Sequence, residues 1–160
     1  MTADSNTGDW RIREAAAGDV DVLAAFTLEE AKDAESVALD AAVVRQGILS
    51  ALRREAPIRY WLALRTGRGE AAGSIAVIRE WSDWRAAYYW WVQFLYVVPE
   101  ARGGGLAGEL IEHVRGVARI EGALELRLYV HGANARALRA YEKQGWRPLP
   151  YLAMHLPVRE

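Results

Sequence analysis

Residues 95–108 have the sequence Leu95-Tyr96-Val97-Val98-Pro99-Glu100-Ala101-Arg102-Gly103-Gly104-Gly105-Leu106-Ala107-Gly108. An apolar run stops at a proline, three glycines follow, and an amphipathic pattern begins, which predicts a strand, a turn and a helix. Glycines accept positive φ, and the first helical turn offers unpaired N–H groups and the positive end of the helix dipole. Such a turn can hold an anion such as a pyrophosphate.

Three glycines before a helix are a weak motif, and a merely flexible turn explains them equally well. The turn lacks the Lys-Ser/Thr pair of a nucleoside triphosphate loop, and no complete Gly-x-Gly-x-x-Gly pattern opens a βαβ unit. Nucleoside triphosphate and dinucleotide sites are therefore less favoured interpretations.

The patterns on both sides of this turn predict a mixed α/β order. We expect strands at 10–13, 60–64, 72–79, 87–98, 124–130 and 151–156, and helices at 20–35, 39–54, 106–118 and 135–144. Successive strands followed by strand-helix alternation imply a sheet that is antiparallel in its first part, with at least one parallel crossover later.

Composition limits the class of protein. The chain has 160 residues, 52% of them hydrophobic and 26% charged, so we expect one globular domain over 10–160 after a flexible lead-in at 1–9. A net charge of -1 argues against nucleic acid as a partner. Cysteine is absent, which removes thiolate metal sites and cysteine nucleophiles. No apolar run is long enough for a membrane span, so a cytoplasmic protein without a metal is expected.

Two ordered segments resemble signatures of the GNAT acyltransferase superfamily. Arg102, Gly105 and Ala107 satisfy the Arg/Gln-x-x-Gly-x-Gly/Ala signature. Asn134 and the run Tyr141-Glu142-Lys143-Gln144-Gly145-Trp146 match the Asn-x-x-Ala-x-x-x-Tyr-x-x-x-Gly-Phe segment, with tryptophan in place of phenylalanine. The resemblance implies a mixed, mostly antiparallel sheet of about six to seven strands, flanked by about four helices and containing a splayed parallel strand pair.

The resemblance also implies an acyl-donor site for acetyl-CoA as co-substrate, in the wedge between two parallel strands. Its pantetheine would pair with the backbone of Leu95, Tyr96 and Val97 and with Asn134. Its pyrophosphate would lie on backbone N–H groups of the turn, contributed by Arg102, Gly103, Gly104, Gly105, Leu106, Ala107 and Gly108.

Two catalytic residues follow from the same resemblance. Tyr141 would protonate the departing thiolate, because its ordinary pKa near 10 keeps it protonated at neutral pH. A buried helix tyrosine is the plainer interpretation. The N–H of Leu95 would stabilise the oxyanion.

The acceptor side is less determined. Gln93 stands where many relatives have a glutamate base, and glutamine cannot act as a base. Glu30, Glu80 and Asp83 are candidate bases and acceptor contacts, although solvated charges explain them as well. Alternation predicts two faces on the aromatic run of the 87–98 strand, with Tyr89, Trp91 and Gln93 on one and Tyr88, Trp90 and Phe94 on the other. One face is a candidate wall for an acceptor pocket, with Trp84 and Trp91 as substrate contacts.

We therefore expect an N-acetyltransferase that transfers an acetyl group from acetyl-CoA to a primary amine by direct attack in a ternary complex. The acidic stretch at 29–35 favours a small cationic amine or amino compound. Alternatives are an acetyltransferase acting on a protein N-terminus or lysine, a catalytically weak acyl-CoA-binding module, and an interaction protein that uses the aromatic hairpin. The family resemblance is also compatible with a homodimer.

Overall fold

The computed structural model describes residues 5–158, without the side chains of residues 5–7, 34 and 35. The described chain forms two compact units that meet in sequence at Tyr129/Val130. The first unit contains a six-stranded sheet and three α-helices, with elements β1 (Ser5–Thr7), β2 (Trp10–Glu14), α1 (Val20–Glu35), α2 (Ala41–Leu52), β3 (Ile58–Arg65), β4 (Ala71–Ser82), β5 (Ala87–Val97), α3 (Leu106–Ile120) and β6 (Glu125–Leu128). The second unit contains α4 (Ala135–Lys143).

The sheet has the order β1-β2-β3-β4-β5-β6. All neighbouring strands are antiparallel except β5 and β6, which are parallel. The helix α3 connects this parallel pair, as a parallel crossover requires. The mixed α/β class, the four helices and the parallel pair are therefore confirmed.

The expected set of six to seven strands is not borne out, although the sheet has six members. Five of the predicted strands form, but residues 151–156 are not a strand, and their apolar side chains are exposed. The remaining sheet member, β1, lies within the lead-in that we expected to be flexible, and residues 1–4 of that lead-in fall outside the described part. Alternation at 151–156 signals a strand locally, but a strand also needs a hydrogen-bonding partner, which local sequence does not specify.

Both faces of the sheet are covered by helices. On one face, α1 and α2 pack Leu23, Phe26 and Ile48 against Tyr60 and Tyr96 of the sheet. On the other, α3 contributes a buried apolar stripe, made of Leu106, Leu110, Ile111, Val114 and Ala118. The stripe follows the spacing of an amphipathic helix, so the residues after the glycine turn anchor that turn to the sheet.

Gly73 of β4 lies directly under α3. A Cβ at this position would come within 2.8 Å of the Tyr96 backbone oxygen and 3.3 Å of Leu110 Cδ1. Only glycine allows so close an approach of β5 and α3. The backbone position of Tyr96 therefore depends on the absence of a side chain at residue 73.

Candidate active site

The parallel strands β5 and β6 part at Val92. Their pairing runs from Tyr89 with Glu125 to Val92 with Leu128, while β5 continues to Val97. Among the described residues, no strand pairs with this side of β5 beyond Val92. The open part of β5 is the wedge edge, which we define as residues 93–97.

The direction of the backbone groups along the wedge edge follows from one hydrogen bond. The N–H of Val98 donates to Ala72 O at 2.9 Å, so it faces β4. Because successive residues of a strand point their N–H and C=O groups to opposite sides, the groups of Val97 and Leu95 face away from β4. The wedge edge thus offers backbone donors and acceptors to a ligand at Leu95 and Val97, whereas those of Tyr96 face β4.

A β-bulge at Gln93 sets the start of the wedge edge. Val77 of β4 pairs with Val92, and Ala76 pairs with Phe94, so Gln93 is the extra residue. A bulge reverses which side chains share a face. The predicted alternation, which placed Phe94 with Trp90, is therefore wrong beyond Val92.

The ring contacts agree with the bulge. The ring centroid of Trp90 lies 6.3 Å from that of Trp61, and neither residue belongs to the core cluster that α1 and α2 pack against. The Phe94 ring lies 6.5 Å from the Tyr96 ring, on the face of α1. The exposed side chain of Gln93 stands at the point where the strands separate.

The glycine turn leads from the wedge edge into α3. Gly103 and Gly105 have φ of 82° and 86°, in the left-handed region where glycine is favoured, and Gly105 is the N-cap residue of α3. The first hydrogen bond into the helix is from Glu109 N to Gly105 O, at 3.1 Å. Backbone N–H groups of residues 103–108 precede that bond and are available to an anion at the helix N-terminus.

The side chain of Arg102 reaches back to the wedge edge. Its Nε donates to Val97 O at 2.9 Å, and a terminal nitrogen donates to Asp33 Oδ2 at 3.2 Å. The guanidinium also lies 5.7 Å from the Tyr96 ring centroid. Arg102 therefore donates a hydrogen bond to the outward-facing carbonyl of Val97, and its contact with Asp33 of α1 holds the guanidinium in this position.

The same end of α1 contacts Tyr96. The Tyr96 hydroxyl donates to Glu29 Oε2 at 2.5 Å, and burial followed by this carboxylate raises the pKa of Tyr96 to about 12. Sequence reasoning grouped Glu29 and Asp33 only as acidic residues near the acceptor. Their i,i+4 spacing on one helix face was the available signal that they act together.

The second unit carries the two remaining predicted donor residues. Asn134 is the N-cap of α4, and its Oδ1 accepts a hydrogen bond from Ala137 N at 3.0 Å. The Tyr141 ring packs edge-on against Trp146 with centroids 5.8 Å apart, and burial raises the pKa of the Tyr141 hydroxyl. Tyr141 is thus protonated at neutral pH, as a general acid must be.

The acceptor candidates are not gathered into one cluster. Glu80 accepts a hydrogen bond from Trp91 Nε1 at 2.6 Å, and the Trp91 ring stacks on Tyr129 with centroids 4.6 Å apart. Asp83 and Trp84 lie at the exposed tip of the β4–β5 hairpin, where Trp84 is 92% exposed. Glu30 lies on α1, half-buried.

Among the residues that the structure describes, no helix has the length and apolar character that a membrane span requires. Within residues 5–158, no group of three or more metal-binding side chains is found.

Comparison with known proteins identifies the family. A sequence model of the acetyltransferase (GNAT) family matches residues 23–146. The IAA acetyltransferase of Azospirillum brasilense is 33% identical over 89 residues, which are 56% of this chain and 54% of that protein. The chain thus spans about half the length of this curated relative.

Solved structures agree with the family. A possible acetyltransferase from Clostridium difficile 630 is 29% identical, with a TM-score of 0.88 over 95% of this chain and 99% of that one. A second structure, described as a probable acetyltransferase, shares the fold at 24% identity, with a TM-score of 0.83 over 94% of this chain and 99% of that one. The chain belongs to the GNAT acetyltransferase family, a family of acyltransferase enzymes that use acetyl-CoA.

Proposed function

We propose that this chain transfers the acetyl group of acetyl-CoA to the primary amine of a small cationic amine or amino compound by direct attack in a ternary complex. The observation that carries the proposal is the wedge edge, which exposes backbone groups at Leu95 and Val97 and leads directly into the glycine turn. A ligand with extended amides and a pyrophosphate complements both parts. Acetyl-CoA has both.

The donor is held mainly by backbone groups in this proposal. The pantetheine amides pair with Leu95 and Val97, and the pyrophosphate lies on the N–H groups of residues 103–108. Arg102 already contacts Val97 O, so donor binding requires its guanidinium to move or to share that carbonyl. Asn134 is proposed to donate from its side-chain NH₂, since its Oδ1 is used in capping α4.

The proposed reaction uses an oxyanion donor, a general acid and a proton acceptor for the amine. The amine nitrogen attacks the thioester carbonyl carbon, and the N–H of Leu95 stabilises the oxyanion that forms. The C–S bond then breaks, and the thiolate takes a proton from the Tyr141 hydroxyl. The amine gives up its own proton to water, because Gln93 has no basic form and the carboxylate of Glu80 accepts a hydrogen bond from Trp91. Water then returns a proton to the Tyr141 oxygen, which restores the hydroxyl for the next turnover.

The acceptor class rests on charge and aromatic surface. Trp91 and Glu80 place an indole and a carboxylate side by side. The guanidinium of Arg127 already lies 5.6 Å from the Trp91 ring centroid and 4.0 Å from Glu80, so the pair attracts a cation, and an ammonium group would have to share it with Arg127. Positioning of the amine beside the thioester would supply much of the rate enhancement.

A polypeptide amine is the second candidate acceptor, and one observation favours it. Trp84 is 92% exposed and Trp81 is 54% exposed, so the hairpin presents aromatic surface without enclosing it. Open aromatic surface suits a protein partner better than a small molecule.

The experiment is a panel of acceptors with acetyl-CoA, in which free thiol release is followed. The panel contains small diamines, amino acids and short peptides with free or blocked N-termini. The proposal expects turnover with small cationic amines. Turnover confined to peptides supports the polypeptide acceptor instead. If acetyl-CoA does not raise the melting temperature of the chain, the proposed donor site is refuted.

A further inference from the structure

A cavity of about 200 Å³ lies where the C-terminal end of α2 meets the start of β3. One part of its wall is apolar, formed by Leu52, Pro57 and Ile58. The other part is charged and includes three arginines. The cavity also contacts Arg79 of β4, which lies three residues, and therefore about 10 Å along the strand, from Ala76, the partner of Phe94 at the start of the wedge edge. The residues that line the cavity include none from the wedge edge or the glycine turn, so the cavity is distinct from the proposed donor site.

One of the three arginines is fully engaged with carboxylates. Arg59 donates from Nε to Glu14 Oε1 at 3.1 Å and from a terminal nitrogen to Glu121 Oε1 at 2.9 Å. Its guanidinium also packs over the Trp61 and Trp90 rings. Arg59 therefore builds the wall of the cavity, and it uses both nearby carboxylates to do so.

The other two arginines are only loosely compensated. Arg54 lies 4.0 Å from Glu14 and Arg79 lies 3.8 Å from Glu121, both beyond hydrogen-bond distance. Three guanidinium groups thus share two carboxylates around the cavity. The side chains of Arg54 and Arg79 are 81% and 45% exposed, so an anion from solution can reach them.

The backbone at Arg54 is an independent observation. Arg54 has φ of 64°, directly after the C-cap residue Arg53 of α2, and its N–H donates to Ala51 O at 2.9 Å. Helices commonly end on a residue in this left-handed conformation, and glycine is favoured there because a side chain is strained. Strained residues are frequent at ligand sites. Arg54 therefore places a residue with a strained backbone on the wall of the cavity.

We propose that this cavity binds a small carboxylate with an apolar body. The carboxylate lies between the guanidinium groups of Arg54 and Arg79, and the apolar body packs against Leu52, Pro57 and Ile58. The opposite charges supply charge-assisted hydrogen bonds, and the apolar wall selects against a bare inorganic anion.

The test is calorimetric titration of the whole chain with benzoate, in the absence of an acyl donor. We expect saturable binding with one site, and binding of benzyl alcohol and benzylamine at least about tenfold weaker, since neither offers an anion. Inorganic phosphate serves as a further probe and should also bind more weakly. Phosphate binding as tight as that of benzoate would overturn the apolar part of the proposal.

The decisive variant is Arg54→Gly, which removes the cation and relieves the strained backbone. We expect benzoate affinity to fall about tenfold or more while the melting temperature rises, so a loss of binding cannot be attributed to unfolding. Arg79→Gln should weaken binding similarly. The matched control is Arg53→Gln, a neighbouring exposed cation outside the cavity wall, which should leave binding unchanged.

Two outcomes would refute the carboxylate site. One is the absence of saturable benzoate binding to the wild-type chain, and the other is wild-type affinity in Arg54→Gly. Because no donor is present in the titration, neither outcome bears on acetyl transfer.

Discussion

The hydroxyl of Tyr96 lies 2.5 Å from Glu29 Oε2, and this hydrogen bond joins α1 to β5 at the wedge edge. Four residues further along α1, Asp33 holds Arg102, whose Nε donates to Val97 O. One face of α1 therefore fixes both the strand that offers backbone groups and the first residue of the glycine turn.

The Tyr96 hydroxyl should ionise later than a free tyrosine. Its folded-state pKa is about 12 and its unfolded value is near 10, so the neutral hydroxyl stabilises the fold below pH 10. That contribution is lost as the pH rises through 12. Absorbance of tyrosinate against pH should show a late step near pH 12 that Tyr96→Phe removes. Tyr60 and Tyr141, whose pKa values are also raised by burial, should contribute equally to the wild-type and variant curves.

Glu29→Gln tests how much the Glu29 carboxylate contributes to the raised pKa of Tyr96. The late step should move to lower pH but stay above the ordinary range, because burial is the larger cause. Asp21→Asn is the control, since Asp21 lies on the same helix but pairs with Arg45. A late step unmoved by Glu29→Gln would contradict the assignment.

Gly73→Ala should destabilise the sheet beneath α3. The new Cβ would meet the Tyr96 backbone oxygen, so β4 and β5 must separate, at a cost of about 1–3 kcal/mol in the free energy of unfolding. Acetyl-CoA affinity should also fall, since the wedge edge moves with Tyr96. Urea unfolding and a donor titration measure the two effects.

Gly116→Ala is the matched control for this change. Gly116 lies within α3, and a Cβ there meets no atom within 4 Å. Alanine should stabilise the helix by about 0.5–1 kcal/mol and leave donor affinity unchanged. Equal destabilisation by both substitutions would show that the close approach at Gly73 is not the cause.

The turn and the helix α3 were predictable because the residues that end the strand and form the turn are local in the sequence. Pro99 ends β5, the glycines permit positive φ at Gly103 and Gly105, and the apolar spacing after them is helical, all within about twenty residues. No long-range information is needed for such an element. The mixed sheet followed from the order of elements in the same way.

The bulge and the contacts from α1 could not be predicted locally. The run 87–97 contains no glycine or proline, and the bulge position at Gln93 depends on its register with β4. The Glu29–Tyr96 hydrogen bond joins residues 67 positions apart. Register and distant contacts are set by packing of the whole unit, which a local pattern does not contain.

Gly105→Val should weaken acetyl-CoA binding by at least about tenfold. Valine is strained at φ of 86°, so the turn must change conformation, and the N–H groups of residues 103–108 would no longer converge. The melting-temperature increase produced by acetyl-CoA should therefore disappear. Direct titration with CoA gives the loss of affinity.

Gly69→Val is the control for backbone strain alone. Gly69 has φ of 70° in the β3–β4 turn, and, like Gly105, a Cβ there meets no atom within 4 Å. It should lower stability to a similar extent while the acetyl-CoA shift is kept. If acetyl-CoA raises the melting temperature of neither variant, backbone strain in general, and not loss of the glycine turn, explains the loss of acetyl-CoA binding in Gly105→Val.

Tyr141→Phe should lower the rate of acetyl transfer while acetyl-CoA binding is kept. The expected loss is about tenfold, below the usual contribution of a general acid, because a thiolate departs readily without a proton. Burial raises the pKa of Tyr141, so the wild-type rate should not decline through deprotonation of this hydroxyl until the pH exceeds about 10. Rates measured against pH, with a good amine acceptor, test this.

The control for Tyr141→Phe is Tyr151→Phe, which removes a hydroxyl from a side chain that is 76% exposed. Its rate should match that of the wild-type chain. The alkaline decline distinguishes an acid from a packing residue, because a tyrosine that only packs against Trp146 would alter stability without altering the pH profile. An unchanged rate in Tyr141→Phe would mean that water, and not Tyr141, protonates the departing thiolate. Catalysis would then rest on the positioning of the two substrates and on stabilisation of the oxyanion by the N–H of Leu95.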